Sequence, residues 1–145
     1  MRIDGEWYVG DDGVARPVIR GEVLAANDTW VRAPFLLDTG ADRTVLSAAM
    51  FRLLGLPRSA TGERIGGLGG VVPSAGVETR IRLTRDGGNK ILFRGHFPAV
   101  TELEALDMCI LGRDITGRFA VIVDQPGNTV SLVGQRHLYR IEQEA

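Results

Sequence analysis

Asp38-Thr39-Gly40-Ala41 concentrates more reactive chemistry than any other short segment of this 145-residue chain. It follows the apolar run Phe35-Leu36-Leu37, so a carboxylate stands at the end of an apolar wall, a setting suited to exchanging protons with a substrate. Thr39 adds a hydroxyl, and Gly40 lets a second backbone approach closely. Asp, Thr and Gly are also ordinary turn residues, and on those three alone an Asx-type turn closing a strand is the simpler reading. The surroundings have to decide.

Rival chemistries are weaker. His96 and His137 lie far apart and Cys109 is the single cysteine, so no spacing suits a structural zinc site and neither metal nor cofactor is expected. Cys109, between Met108 and Ile110, reads as a small buried apolar residue before it reads as a nucleophile. Ser47 is better explained as a helix cap, and Trp7 and Trp30 as packing or edge residues. The cluster Gly66-Gly67-Leu68-Gly69-Gly70 fails the spacing of a dinucleotide fingerprint and lacks the Gly-Lys-Ser/Thr ending of a P-loop. Flanked by Ile65, Val71 and Val72, it also differs from a polar linker; a hairpin tip, free to adopt positive φ and to fold over an extended peptide, is the third reading, and the cluster alone does not decide among them.

The elements that must hold these residues are mostly strands. Val18 to Ala25 and Val31 to Leu37 flank a turn at Asn27-Asp28. Phe35-Leu36-Leu37 has the form of a strand buried on both faces, as does Met108-Cys109-Ile110-Leu111 before Gly112-Arg113-Asp114. Val77, Thr79, Ile81 and Leu83 alternate with Glu78, Arg80 and Arg82, and Asp86-Gly87-Gly88-Asn89 turns that strand into Lys90 to Phe93, with Phe97 to Val100 continuing extended. Gln125-Pro126-Gly127-Asn128 turns a last hairpin between Phe119–Val123 and Thr129–Val133. Ser47, a short apolar period through Leu54, and Gly55 spell one capped helix, and Glu102 to Leu106 has room for one helical turn. The tail from 134 to 145 is mostly polar. Short strands at hairpin spacing with one or two short helices predict a mostly β fold, a closed barrel or sandwich, in one domain spanning 1–145 with a core of about 18–133.

Composition narrows the partners. Seventeen Lys+Arg against 18 Asp+Glu give a net charge of −1, without the excess of basic residues that nucleic acid or an acidic membrane would require. No apolar run approaches a membrane span, and the first residues are acidic where a leader would be basic and then apolar, so a soluble cytoplasmic protein is expected. Gly is 19 of 145 residues, well above average usage, which favours many tight turns over long helices.

In its context Phe35 to Leu46 resembles the active-site segment of retropepsin-like aspartic proteases. Ile65-Gly66-Gly67-Leu68-Gly69-Gly70 is similar to their flap, and Ile110-Leu111-Gly112-Arg113-Asp114 to their apolar-apolar-Gly-Arg landmark. The three come in the family's order and cover roughly residues 18 to 133. The convincing helix after Ser47 and the extra hairpin after Arg113 look more like the cellular and bacterial branch than the retroviral one. The resemblance implies the closed retropepsin barrel, Asp38 as the catalytic residue, and Thr39, Gly40 and Ala41 as its support. It also implies an Asp42–Arg113 pair near the site and a flap of Ile65 to Gly70 over the substrate. Asp-Thr-Gly occurs once, so the resemblance implies a homodimer with one Asp38 from each subunit, acting on an extended peptide. A non-enzymatic module that keeps the dimer fold and binds a peptide or partner protein is the alternative, since fold alone does not confer activity.

Overall fold

A computed structural model describes residues 1–59, 64–67, 70–134 and 142–143. Among these the chain is built from strands with two short helices. The centre is β3 (Ala15–Leu24), where Val18, Ile19 and Val23 have no exposed surface. It turns at Asp28, in the left-handed region at φ 62°, into β4 (Trp30–Leu37), pairing Val18 with Leu36 through to Leu24 with Trp30. The other edge of β3 pairs with β2 (Glu6–Val9) and with the far end of β6 (Gly70–Thr84). Along β6, Val77, Thr79, Ile81 and Leu83 are buried and Glu78 and Arg80 exposed, the alternation expected of a half-buried strand. β6 pairs with β5 (Arg64–Gly67) at one end and with all of β7 (Lys90–Val100).

Phe35, Ile19, Ile81 and Leu83 meet in the core, each fully buried. Removing a side chain of that size from water stabilises the fold by about 1.5–3 kcal/mol. α1 (Ala48–Leu54) lies on this core through Met50 and Leu54. Its start and stop match the sequence: the Met50 amide donates to Ser47 Oγ at 3.2 Å, and Gly55 closes the helix at φ 62°.

After β7 come β8 (Cys109–Leu111), α2 (Arg113–Thr116), β9 (Ala120–Asp124) and β10 (Thr129–Val133). β1 (Arg2–Asp4) joins β10 and β9 in a separate three-stranded sheet. The fold is therefore mostly β, but among the described residues neither sheet is itself the expected closed barrel. What ties the ends together is narrower: Val45 bridges to Ile110 of β8 and Leu46 to Ala99 of β7, two isolated bridges joining strands at opposite ends of the large sheet.

Several expectations need correction. Residues 2–4 and 6–9 form strands that the charged opening of the chain conceals, because Ile3 alone among them is deeply buried. The helical turn expected at Glu102–Leu106 is a hydrogen-bonded turn, with the Ala105 amide on the Glu102 carbonyl at 3.2 Å. β6 begins at Gly70, so glycines assigned to a bend lie within paired strands. Of the polar tail, 135–141 and 144–145 lie outside the described residues.

Candidate active site

Asp38 sits where β4 ends. β4 is bonded on both edges, antiparallel to β3 and parallel to β8, with Leu37 beside Leu111. The Asp38 amide extends that second pairing by one residue, donating to the Leu111 carbonyl at 3.2 Å. The chain then doubles back: the Ala41 amide donates to the Asp38 carbonyl at 3.2 Å, and the Gly40 amide to Asp38 Oδ1 at 3.0 Å. Asp38 is left half-buried, with Thr39 and Gly40 exposed. On its way out the chain passes along the opposite edge of β8, where Val45 and Ile110 exchange amide bonds of 2.9 and 2.8 Å. β8 thus runs between the arriving and departing legs of the Asp38 loop.

Residues just after β8 brace that loop. The amides of Arg113 and Asp114 donate to the carbonyls of Ala41 (2.9 Å) and Asp42 (3.2 Å). Arg113 Nη1 donates to the Thr39 carbonyl at 2.7 Å while Nη2 pairs with Asp42 Oδ1. The expected Asp42–Arg113 contact is present. Both side chains are largely exposed, so their charge attraction is screened and small; the fork matters because it fixes Thr39. Close packing does the rest. A Cβ at Gly112 would lie 2.3 Å from the Arg43 carbonyl carbon and 2.4 Å from its oxygen, so only glycine fits there without moving backbone.

A second brace was not legible as such. Thr44 is fully buried, and its amide and hydroxyl both donate to Asp114 Oδ1, at 2.9 and 2.7 Å. The same oxygen accepts from the Ile115 amide at 3.0 Å, and Thr44 Oγ1 accepts from the Gly112 amide at 3.1 Å. The signal available beforehand was a polar Thr44 next to apolar Val45-Leu46, which once buried must find partners.

The β5–β6 hairpin rises beside this loop, pairing Ile65 with Val72, Gly66 with Val71 and Gly67 with Gly70. Leu68 and Gly69, expected at its tip, lie outside the described residues. Ile65 and Val72 pack against Val45, Ala48 and Val100, together with Ala105, Leu106 and Ile110. The departing leg of the Asp38 loop and the base of the hairpin therefore share one apolar floor, partly open, which the sequence reading did not assemble. Cys109 is buried, and its burial pushes the thiol pKa up, opposite to what a nucleophilic thiolate needs. Among the described residues no cluster of three or more His, Cys, Asp or Glu is placed to hold a metal ion. No helix among them is long and apolar enough to cross a membrane.

A carboxylate at a strand end, a glycine hairpin beside it and a Gly-Arg brace beneath it together define a retropepsin-like aspartic protease fold. Residues 22–115 match the aspartyl protease family, and the chain belongs to that family. The protease of EIAV, solved in complex with the inhibitor HBY-793, is 31% identical over 70% of this chain and 86% of its own, with a TM-score of 0.52. A retropepsin-like aspartic protease from Rickettsia conorii shares the fold at a TM-score of 0.57 and 20% identity, covering 91% of this chain and 90% of its own. No curated protein matches the chain.

Proposed function

We propose that this protein is an aspartic endopeptidase that works as a homodimer, with Asp38 of each subunit forming one catalytic pair. The observation that carries the reading is the Asp38 loop: a half-buried carboxylate, oriented by the Gly40 amide and locked by β8 and Arg113, within a chain that contains a single Asp-Thr-Gly. The loop's other carboxylate, Asp42, is engaged by Arg113, so the second acid comes from a second copy. Exposed Thr39 and Gly40 lie where two such loops would meet on a twofold axis, and Ala41 anchors the turn.

Two carboxylates in contact cannot both ionise cheaply, so they share one proton. Aspartic proteases are the standard illustration of that pattern, and the dyad mechanism here follows them. One carboxylate takes a proton from water as the water attacks the scissile carbonyl; the other donates its proton to the carbonyl oxygen. The Ile65–Gly70 hairpin is the flap, its glycine backbone offering amides and carbonyls to an extended peptide, and the floor of Val45, Ile110 and Val72 receives apolar side chains. The barrel closed by Val45 and Leu46, and a cytoplasmic location, belong to the same proposal.

Asp38→Asn is expected to reduce cleavage of an unstructured protein by at least about a thousandfold while leaving the fold intact. Equal cleavage by the variant would remove Asp38 from the mechanism. Sedimentation is expected to find a dimer in the active preparation, and a strictly monomeric active enzyme would refute the shared pair.

A further inference from the structure

β7 uses one edge fully, pairing with β6 from Lys90 to Val100. Among the described residues its other edge is occupied only towards its end, where Leu46 bonds Pro98 and Val100 and Arg43 Nη2 donates to the His96 carbonyl at 3.0 Å. From Ile91 to Gly95 that edge borders a groove of about 670 Å³, whose opposite wall is Asp114, Ile115, Arg118 and Phe119. Phe93 and Phe119 meet edge to face there, ring centres 6.4 Å apart. An unpaired strand edge is a template for a further strand. Five residues of β geometry, roughly 16 Å, would run the length of the open stretch.

Two exposed cations, Arg94 and Arg118, stand on the described walls of the groove, in a chain whose net charge is −1. Among the described residues the one carboxylate on its walls, Asp114, already accepts from Thr44 and Ile115 through Oδ1. Arg94 and Arg118 are exposed and have no ion-pair partner among the described residues. Arg43, which follows Asp42 in the Asp38 loop, is among the residues that line the groove.

We propose that this groove binds an extended acidic segment of the protein substrate, which adds to β7 as a strand and sets its carboxylates against Arg94 and Arg118. The groove makes the enzyme selective for unstructured acidic stretches beside the cleaved bond. Its occupant as substrate rests on the proteolytic reading above; its charge preference does not.

Binding is measured first without turnover, on the full-length Asp38→Asn protein, by fluorescence anisotropy with a labelled peptide of alternating Glu and Thr. The counterpart carries Lys for Glu. The acidic peptide is expected to bind, with affinity falling as salt rises, and the lysine peptide is not. Arg94→Glu combined with Arg118→Glu is expected to weaken binding roughly tenfold or more, whereas Arg52→Glu, on the exposed side of α1, leaves it unchanged. Equal binding of the two peptides, or salt-insensitive binding, overturns the proposal even if the double variant misfolds. With the active protein, a substrate bearing an acidic flank is expected to show a lower KM than its lysine counterpart. Cleavage without that preference refutes the groove alone. Binding of the acidic peptide by a protein that cleaves nothing refutes the proteolytic reading and, with it, substrate as the occupant.

Discussion

The Asp38 loop and the β5–β6 hairpin face the same apolar floor but are held in opposite ways. Around Asp38, β8 bonds both legs of the loop, Arg113 grips the Thr39 carbonyl, and Gly112 lets the Arg43 backbone pass at near contact. In the hairpin the ties are the pairings from Arg64–Pro73 to Gly67–Gly70 and the seat of Ile65 and Val72. A Cβ at Gly66 would meet Val71 at 3.8 Å, and at Gly67 it would meet nothing within 4 Å. Geometry is over-determined around the carboxylate proposed to act, and rests on a ladder and one apolar seat in the hairpin proposed to admit a peptide. An element held by its ladder and one apolar seat opens at lower free energy than the core, as the proposed flap role requires.

The sharpest way to break this contrast is Gly112→Ala. Its methyl has nowhere to go except into the backbone of Arg43, so the expected cost is about 3 kcal/mol or more. For a chain of this size that lowers Tm by roughly 10 °C, read by calorimetry. An unchanged Tm would show that the loop yields and is not locked.

Next comes the buried brace. Asp114→Ala leaves the Thr44 amide and hydroxyl and the Ile115 amide without their shared acceptor. The expected loss is about 2 kcal/mol. Asp114→Asn keeps an oxygen in place and is expected to recover most of it. Urea unfolding separates the two; equal losses would mean that charge, and not hydrogen-bond geometry, is what Asp114 supplies.

These two predictions also mark where the sequence stopped being readable. Local signals were enough for the turn at Asp28, the Ser47 cap and the Gly55 stop, because each is decided within a few residues. The order of Asp38-Thr39-Gly40, the glycine cluster and Gly112-Arg113 was enough for the family. Thr44 with Asp114 was out of reach as a pair, since 70 residues separate them and neither type announces a distant partner. β1 escaped for a related reason: three residues carry no period, and Arg2–Asp4 become a strand only because β10 is there to bond them. At Glu102–Leu106 a single turn's hydrogen bond was not extended, as expected when nucleation is costly and no apolar face follows.

The hairpin side of the contrast is tested by Gly67→Ala. With open space around the new methyl, stability is expected to change by no more than about 0.5 kcal/mol. If the hairpin is the flap proposed above, the KM for a peptide substrate is expected to rise about threefold, since its backbone would then meet the peptide through a Cβ. A large stability loss with normal kinetics would reverse the assignment and make the hairpin a structural element.

A comparably small effect belongs to the other end of the same strand, where β6 stops being an arm and becomes part of the core sheet. There Glu22 is paired with Arg82 across the β3–β6 ladder, Lys90 Nζ lies 3.4 Å from the same carboxylate oxygen, and the Arg82 guanidinium stacks 4.1 Å above the Trp30 ring. The Arg82 hydrogen bond, helped by the charges of Arg82 and Lys90 and opposed by burial, holds the Glu22 pKa below its ordinary 4.5. A depressed carboxyl stabilises the fold fully above its unfolded value and loses that contribution as pH falls through the folded one. Arg82→Gln is therefore expected to lower stability by under about 1 kcal/mol at neutral pH, and that difference is expected to shrink steadily below pH 4.5. Thermal unfolding of both proteins across that range checks it. A gap that stays constant with pH would assign the effect of Arg82 to its stacking on Trp30, making the anchor of β6 a matter of packing instead of charge.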